Sequence, residues 1–224
     1  MRVGLAGAGR IGAAHAETLK GLVDEVVIAD ADAGRAREVA AKLGARAAGG
    51  VEELFSSGLD AMVVATPTST HSALVIKAVE AGLPVFVEKP LSADLDGTIQ
   101  TLTALRGSDV PVQIGFQRRF DPGHVAAREA VASGRLGWVH TVRSLTLDRE
   151  PPPDDYIPNS GGLFRDCSVH DFDAVRFVTG RGGGGGGAAG AAPPPPGRGG
   201  GAPPRPAPPR RPHQRPPEAR GCAG

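Results

Sequence analysis

RVGLAGAGRIG, residues 2–12, is the stretch on which the fold turns. Arg2 to Ala6 is a short apolar run with the length of a buried strand. It passes directly into Gly7-Ala8-Gly9-Arg10-Ile11-Gly12, a G-x-G-x-x-G turn. Gly7 permits a tight turn off the strand. Gly9 removes a side chain where the backbone must approach a pyrophosphate. Gly12 lets the following helix press close to the strand. A helix that starts here aims its free N–H groups and the positive end of its dipole at the loop.

The motif is weak alone and gains weight from its surroundings. A helix is expected over residues 10–22, then a second apolar run, Glu25 to Ala29, that ends on Asp30, 18 residues after Gly12. A carboxylate at that place accepts from both ribose hydroxyls of NAD and repels a 2′-phosphate, so NAD is expected rather than NADP. Arg35 and Arg37 are either partners for such a phosphate or solvated side chains of the next helix.

The pattern then repeats. A helix is expected over 33–43 with Gly44 at its C-cap, a strand over 60–66, a helix over 69–81 stopped by Gly82, and strands over 84–87 and 110–115. Near-continuous apolar strands alternating with helices indicate a parallel sheet covered on both faces. The expected fold is therefore α/β, a Rossmann-type doubly wound sheet over residues 1–118. After about Phe120 the character changes: a helix over 122–133, an alternating strand over 138–147, a Pro- and Asp-rich loop over 150–162 and a helix over 163–179. This reads as the start of a second domain, α+β in type, over residues 119–180.

Ligands of open α/β sheets bind at the carboxyl ends of the strands. Two such ends carry polar groups: Thr66-Pro67 with His71 beyond, and Val87-Glu88-Lys89-Pro90. His71 is equally readable as an ordinary first-turn helix residue, whereas Lys89 is held by the fixed turn of the following proline.

G-x-G-x-x-G, then T-P-x-x-x-H, then E-K-P at this spacing resembles the glucose–fructose oxidoreductase, inositol dehydrogenase and rhizopine-catabolism family (Gfo/Idh/MocA). IGFQRRFDPG (114–123) and GGLFRDCSVHDFD (161–173) resemble its inositol 2-dehydrogenase branch. The resemblance spans residues 1–180 and implies that residues 119–180 begin an α+β substrate domain that is incomplete here. It implies NAD(P)-dependent oxidation of a ring hydroxyl in a cyclic polyol or sugar, myo-inositol being the best match, and a homo-oligomeric assembly. It places Gly7, Gly9, Arg10, Ile11, Gly12, Asp30, Thr66, Pro67, His71, Glu88 and Lys89 at the cofactor. It also implies that Lys89 lies between substrate and nicotinamide, that Asp166 and His170 are the D-x-x-x-H pair, and that Arg118 or Arg119 lines the substrate site.

The residue chemistry fits such a role. Asp166 and His170 are four apart, on one face of the expected helix, with Val169, Phe172 and Val175 as a docking stripe. A histidine titrating near neutrality suits a general base, and a neighbouring carboxylate would favour its protonated form and orient the ring. Lys89 would polarise the reacting oxygen. The alternative is an i,i+4 surface pair. Cys167 with His170 supplies too few ligands for a metal.

The remaining 44 residues, 181–224, contain 40 Gly, Ala, Pro or Arg and no large apolar side chain. Such a segment is expected to be disordered. Seven arginines against one glutamate make it basic; the whole chain is +1, so residues 1–180 are acidic. Without aromatics to stack on bases it is a poor nucleic-acid binder. These four amino acids have codon boxes led by two G or C bases, so a frameshifted GC-rich reading frame is the expected origin, with an authentic tail as the alternative. Two cysteines, Cys167 and Cys222, form no disulfide framework. No apolar run approaches the roughly 18 residues of a membrane span, and no leader precedes the first strand. A cytoplasmic protein is expected, either a dehydrogenase or a cofactor-binding module without turnover.

Overall fold

The computed structural model describes residues 1–147, 150, 151, 154 and 162–181. These all belong to the contact unit Met1–Ala188. The tail expected to be disordered lies outside the described residues, apart from Arg181.

Six strands form one parallel sheet in the order β3-β2-β1-β4-β5-β6. They are β1 (Arg2–Ala6), β2 (Glu25–Ala29), β3 (Arg46–Ala47), β4 (Ala61–Val64), β5 (Val85–Val87) and β6 (Val112–Ile114). The order reverses between β1 and β4, which opens a crevice above their carboxyl ends. Helices α1 (Arg10–Lys20), α2 (Ala33–Leu43), α3 (Val51–Phe55), α4 (His71–Glu80) and α5 (Leu95–Ala104) connect them.

Strand alternation sorts the core into two layers. Val3, Leu5, Val26 and Ile28 face one cluster with Ala16, Ala36 and Ala40. Ala6, Val27, Met62 and Val64 face the other with Leu74, Val75 and Ala78. Small alanines on α1 and α2 let those helices lie close to the sheet.

The first turn shows why glycine is required. Gly7 has φ +98°, and a Cβ there would stand 2.4 Å from the Ala65 carbonyl oxygen. A Cβ on Gly12 would stand 1.9 Å from the Gly7 carbonyl oxygen, which is backbone and cannot swing aside. Asp32 caps α2, accepting from Gly34 N–H and Arg35 N–H at 2.9 and 3.1 Å, and Gly44 ends it in the left-handed conformation.

Beyond the sheet, a single 3-10 turn, Gln117–Phe120, leads into α6 (Pro122–Ala132), capped by Asp121 with proline in the first turn. Two findings depart from the sequence reading. The helix expected over 163–179 is two helices, α7 (Leu163–Asp166) and α8 (Ser168–Thr179), interrupted at Cys167. The strand expected over 138–147 has no ladder partner among the described residues, and Trp138, Leu145 and Leu147 are exposed. Alternation fixes which way side chains would point but cannot supply the neighbouring strand whose N–H and C=O groups make a strand stable.

Helix α8 is fastened by two arginines of the 3-10 turn. Arg119 Nε and Nη2 donate to the two oxygens of buried Asp173 at 2.9 and 2.5 Å. Arg118 Nη1 donates to Asp171 Oδ1 at 2.8 Å. That same oxygen accepts from Ser144 Oγ at 2.5 Å and Thr146 Oγ1 at 2.8 Å. The Ser144 hydroxyl bond, then the Thr146 and Arg118 bonds, outweigh burial and hold the Asp171 carboxyl at about 2, against its usual 3.8.

Two outcomes are expected. Gly12→Ala destabilises the fold by at least ~2 kcal/mol, because helix and strand must separate, measured by chemical denaturation. Asp171→Asn is less stable at pH 7 by roughly 1–2 kcal/mol. A depressed carboxyl adds stability above its unfolded value and loses it as pH falls through its folded one. The gap between parent and Asn variant should therefore close between 3.8 and about 2, read from thermal melts across that range. A gap that persists at the acid end contradicts the assignment.

Candidate active site

A cavity of about 1080 Å³ lies over the carboxyl ends of β1, β4 and β5, walled on its far side by α7 and α8. Arg10 and Ile11 line one end; Thr66, Pro67 and His71 line the middle; Glu88, Lys89, Asp166 and His170 line the other. Nine of the residues singled out from sequence thus share one space. A second cavity of about 820 Å³ beside α8 is walled largely by aliphatic side chains such as Val131, Val142 and Val175. It holds no such convergence of carboxylate, lysine and histidine.

The glycine loop forms the first wall. Gly9 is the N-cap of α1 and no side chain caps the helix, so its first N–H groups face the cavity end. An added Cβ on Gly9 would meet nothing within 4 Å, which leaves open space for a ligand to reach backbone. Asp30 Oδ2 accepts from Ala8 N–H at 2.7 Å and Oδ1 from Asp32 N–H at 2.8 Å. Each oxygen retains lone pairs for a further donor. Arg35 leans over the pair, 3.6 Å from Asp30 and 3.8 Å from Asp32.

His71 opens α4, the first-turn helix position that was one of its two readings. It is 1% exposed, and both ring nitrogens are taken by backbone oxygens at 2.8 Å: Nδ1 faces Pro90 and Nε2 faces Thr66. It ties the loop after β4 to the loop after β5, with little surface of its own to offer a ligand.

Lys89 reaches across to the other half. Its Nζ donates to the Asp166 backbone oxygen at 2.7 Å and to Asp166 Oδ1 at 3.0 Å. In an unbroken helix that carbonyl would accept from the N–H of His170. Here the His170 N–H turns to the Cys167 carbonyl at 3.2 Å. The sequence expectation of Asp166 and His170 on one continuous helix is therefore corrected, because Lys89 occupies the hydrogen-bonding position that would make it continuous.

His170 is half-buried, its Nδ1 has no hydrogen-bond partner among the described residues, and Phe116 meets its ring edge-on at 6.5 Å. Burial, then the charges of Lys89 and Arg118, push it below the ordinary histidine value, against the opposing pull of Glu88 and Asp171. The expected carboxylate-favoured protonation is thus reversed: the net field on His170 favours the neutral ring.

Arg118 and Arg119 do not line the cavity; their guanidiniums are engaged by Asp171 and Asp173. Sequence reasoning missed His15, Phe116 and Gln117, which do line it. His15 lies four positions beyond Ile11 on α1, so helix periodicity places both on the cavity-facing side. Among the described residues no cluster of three metal-ligating side chains occurs, and no helix is long and apolar enough to cross a membrane.

Residues 1–116 match the family model described as the oxidoreductase family, NAD-binding Rossmann fold (GFO_IDH_MocA). Residues 124–182 match the GFO/IDH/MocA C-terminal domain. The chain is 40% identical over 184 residues to inositol 2-dehydrogenase of Rhizobium meliloti (strain 1021), covering 80% of this chain and 55% of that protein. It is 42% identical to myo-inositol 2-dehydrogenase of Thermotoga maritima, again over 80% of this chain and 55% of the relative. The crystal structure of scyllo-inositol dehydrogenase from Lactobacillus casei with bound NAD(H) and scyllo-inositol superposes with a TM-score of 0.71 at 27% identity, covering 80% of this chain and 56% of that one. The chain spans about half the length of the curated relatives it matches. On the strength of the match over its first 116 residues, the chain belongs to the Gfo/Idh/MocA oxidoreductase family.

Proposed function

We propose that this protein oxidises a ring hydroxyl of a cyclic polyol, with myo-inositol the preferred candidate, by an NAD-dependent hydride transfer. The observation that carries the reading is the meeting of Lys89, Asp166 and His170 at one end of the cavity whose other end is the glycine loop. The relatives named as inositol dehydrogenases support the substrate class.

The free N–H groups at the start of α1 and the open space over Gly9 fit a dinucleotide pyrophosphate, and Asp30 fits its adenine-side ribose. NAD, when bound, supplies the hydride acceptor. The chain's residues manage the proton and the developing charge. Oxidation splits the secondary alcohol into a ketone, a hydride and a proton. His170, kept neutral by burial and nearby cations, takes the hydroxyl proton on a ring nitrogen. Lys89 spends two of its three N–H donors on Asp166 among the described residues; the third serves the reacting oxygen as it becomes alkoxide-like. Asp166 fixes the direction of the ammonium.

Gly9→Ala leaves the melting temperature essentially unchanged, since its Cβ meets nothing, while weakening NADH binding about tenfold or more. Fluorescence titration with NADH reads the second effect, and unchanged affinity contradicts the assigned pyrophosphate site. His170→Ala lowers myo-inositol-dependent NAD reduction by about 10²–10⁴-fold with NADH affinity retained; equal loss of both refutes its role as base. A base must be unprotonated to act, and a lowered value keeps it so further into acid. The acid limb of kcat/KM should therefore fall below 6.5, the ordinary histidine value. NADH binding without polyol-dependent reduction would leave a cofactor-binding module as the function.

A further inference from the structure

On the sheet side of the cavity lies a titratable pair that proton transfer leaves unused. His15 Nε2 is 2.7 Å from Glu88 Oε1. The His15 ring meets Phe86 edge-on, with centroids 5.3 Å apart. Phe86 and Glu88 both lie against Gly115, where an added Cβ would stand 3.0 Å from the Phe86 ring and 3.2 Å from the carboxylate. The carboxylate is therefore held between α1, β5 and the end of β6, in the same cavity as Lys89 and His170. Burial raises Glu88, but the His15 hydrogen bond and charge, followed by the Lys89 backbone bond and charge, outweigh it; the group remains ionised.

A fixed charge here has a chemical consequence. Lys89 is ion-paired with Asp166, so the pair sums to zero even though the ammonium still acts on its nearest neighbours. Arg10 stands at the opposite, glycine-loop end. Glu88 is the carboxylate at the reacting end whose paired side chain, His15, is not a permanent cation. A nicotinamide ring carries a positive charge when oxidised and none when reduced. A fixed anion in the same cavity attracts the first and not the second.

We propose that Glu88, positioned by His15, makes this cavity discriminate between the two redox forms of the dinucleotide in favour of the oxidised one. The inference rests on the cofactor reading above and assigns Glu88 the role of a charge determinant. His15 is a positioning residue that acts through it.

The test is calorimetric titration of the full chain with NAD⁺ and, separately, with NADH, which yields a ratio of dissociation constants without any turnover. In Glu88→Gln, nearly isosteric and uncharged, NAD⁺ binding weakens about five- to tenfold relative to NADH. His15→Gln keeps the carboxylate and offers it an amide donor, so its ratio stays close to the parent's. Loss of fold or of packing weakens both nucleotides together and leaves the ratio in place, so the ratio separates charge from structure. Equal weakening of both nucleotides in Glu88→Gln, or no change in either, overturns the proposal. So does a His15→Gln ratio displaced as far as that of Glu88→Gln. A parent chain that binds neither nucleotide overturns the cofactor reading and this proposal with it, a result distinct from a parent that binds both with a ratio insensitive to Glu88.

Discussion

One ammonium group joins the two halves of this molecule. Lys89 leaves the sheet at the end of β5 and takes both the backbone oxygen and a carboxylate oxygen of Asp166, on the far wall of the cavity. The first of these bonds replaces one that a continuous helix would make internally. The interruption at Cys167 is thus not a defect in α8 but the local cost of fixing a cation in space. Without it, Asp166 would end its carbonyl on His170, and the lysine would sit half-buried at 19% side-chain exposure with less to hold it.

The cations around His170 act twice. Together with burial they favour the neutral ring, which in the proposed reaction would be available as a base but intrinsically a weaker one. In the proposed reaction the same Lys89 would lower the cost of negative charge on the oxygen whose proton is removed. In that reaction a weaker base and a more acidic alcohol would compensate each other. The two arginines of the 3-10 turn contribute from outside: Arg119 by clamping Asp173 and so α8, Arg118 by clamping Asp171 while its charge still reaches His170.

Much of this was legible in the sequence, for physical reasons that differ by segment. The sheet was legible because each strand is a short apolar run and each crossover a helix of standard length. β1, β2 and β5 begin and end within a residue of their expected places. Short elements such as β3 and α3 were not, because two to five residues carry too little periodicity to read. The cavity's lining was legible through strand ends and the glycine turn. The two readings of His71 stayed open in the sequence, because a motif states that a histidine is present and not that both its nitrogens face backbone carbonyls. The strand expected over 138–147 does not form among the described residues for a related reason: alternation is a property of one segment, whereas a ladder is a property of two.

The strand order also bears on how the chain reaches this state. β1 pairs with β2 through residues that lie within the first 29, but its other edge is completed only by β4, at residues 61–64. During synthesis from the amino terminus, one side of the leading strand is covered early, while the other must wait for some thirty more residues to emerge. The glycine loop sits at the top of that late-closing seam, where Gly7 packs on Ala65 and Thr66 just beyond β4. The nucleotide crevice therefore cannot be complete until β4 has been made. Until β4 arrives, the nascent chain exposes the edge of its own central strand.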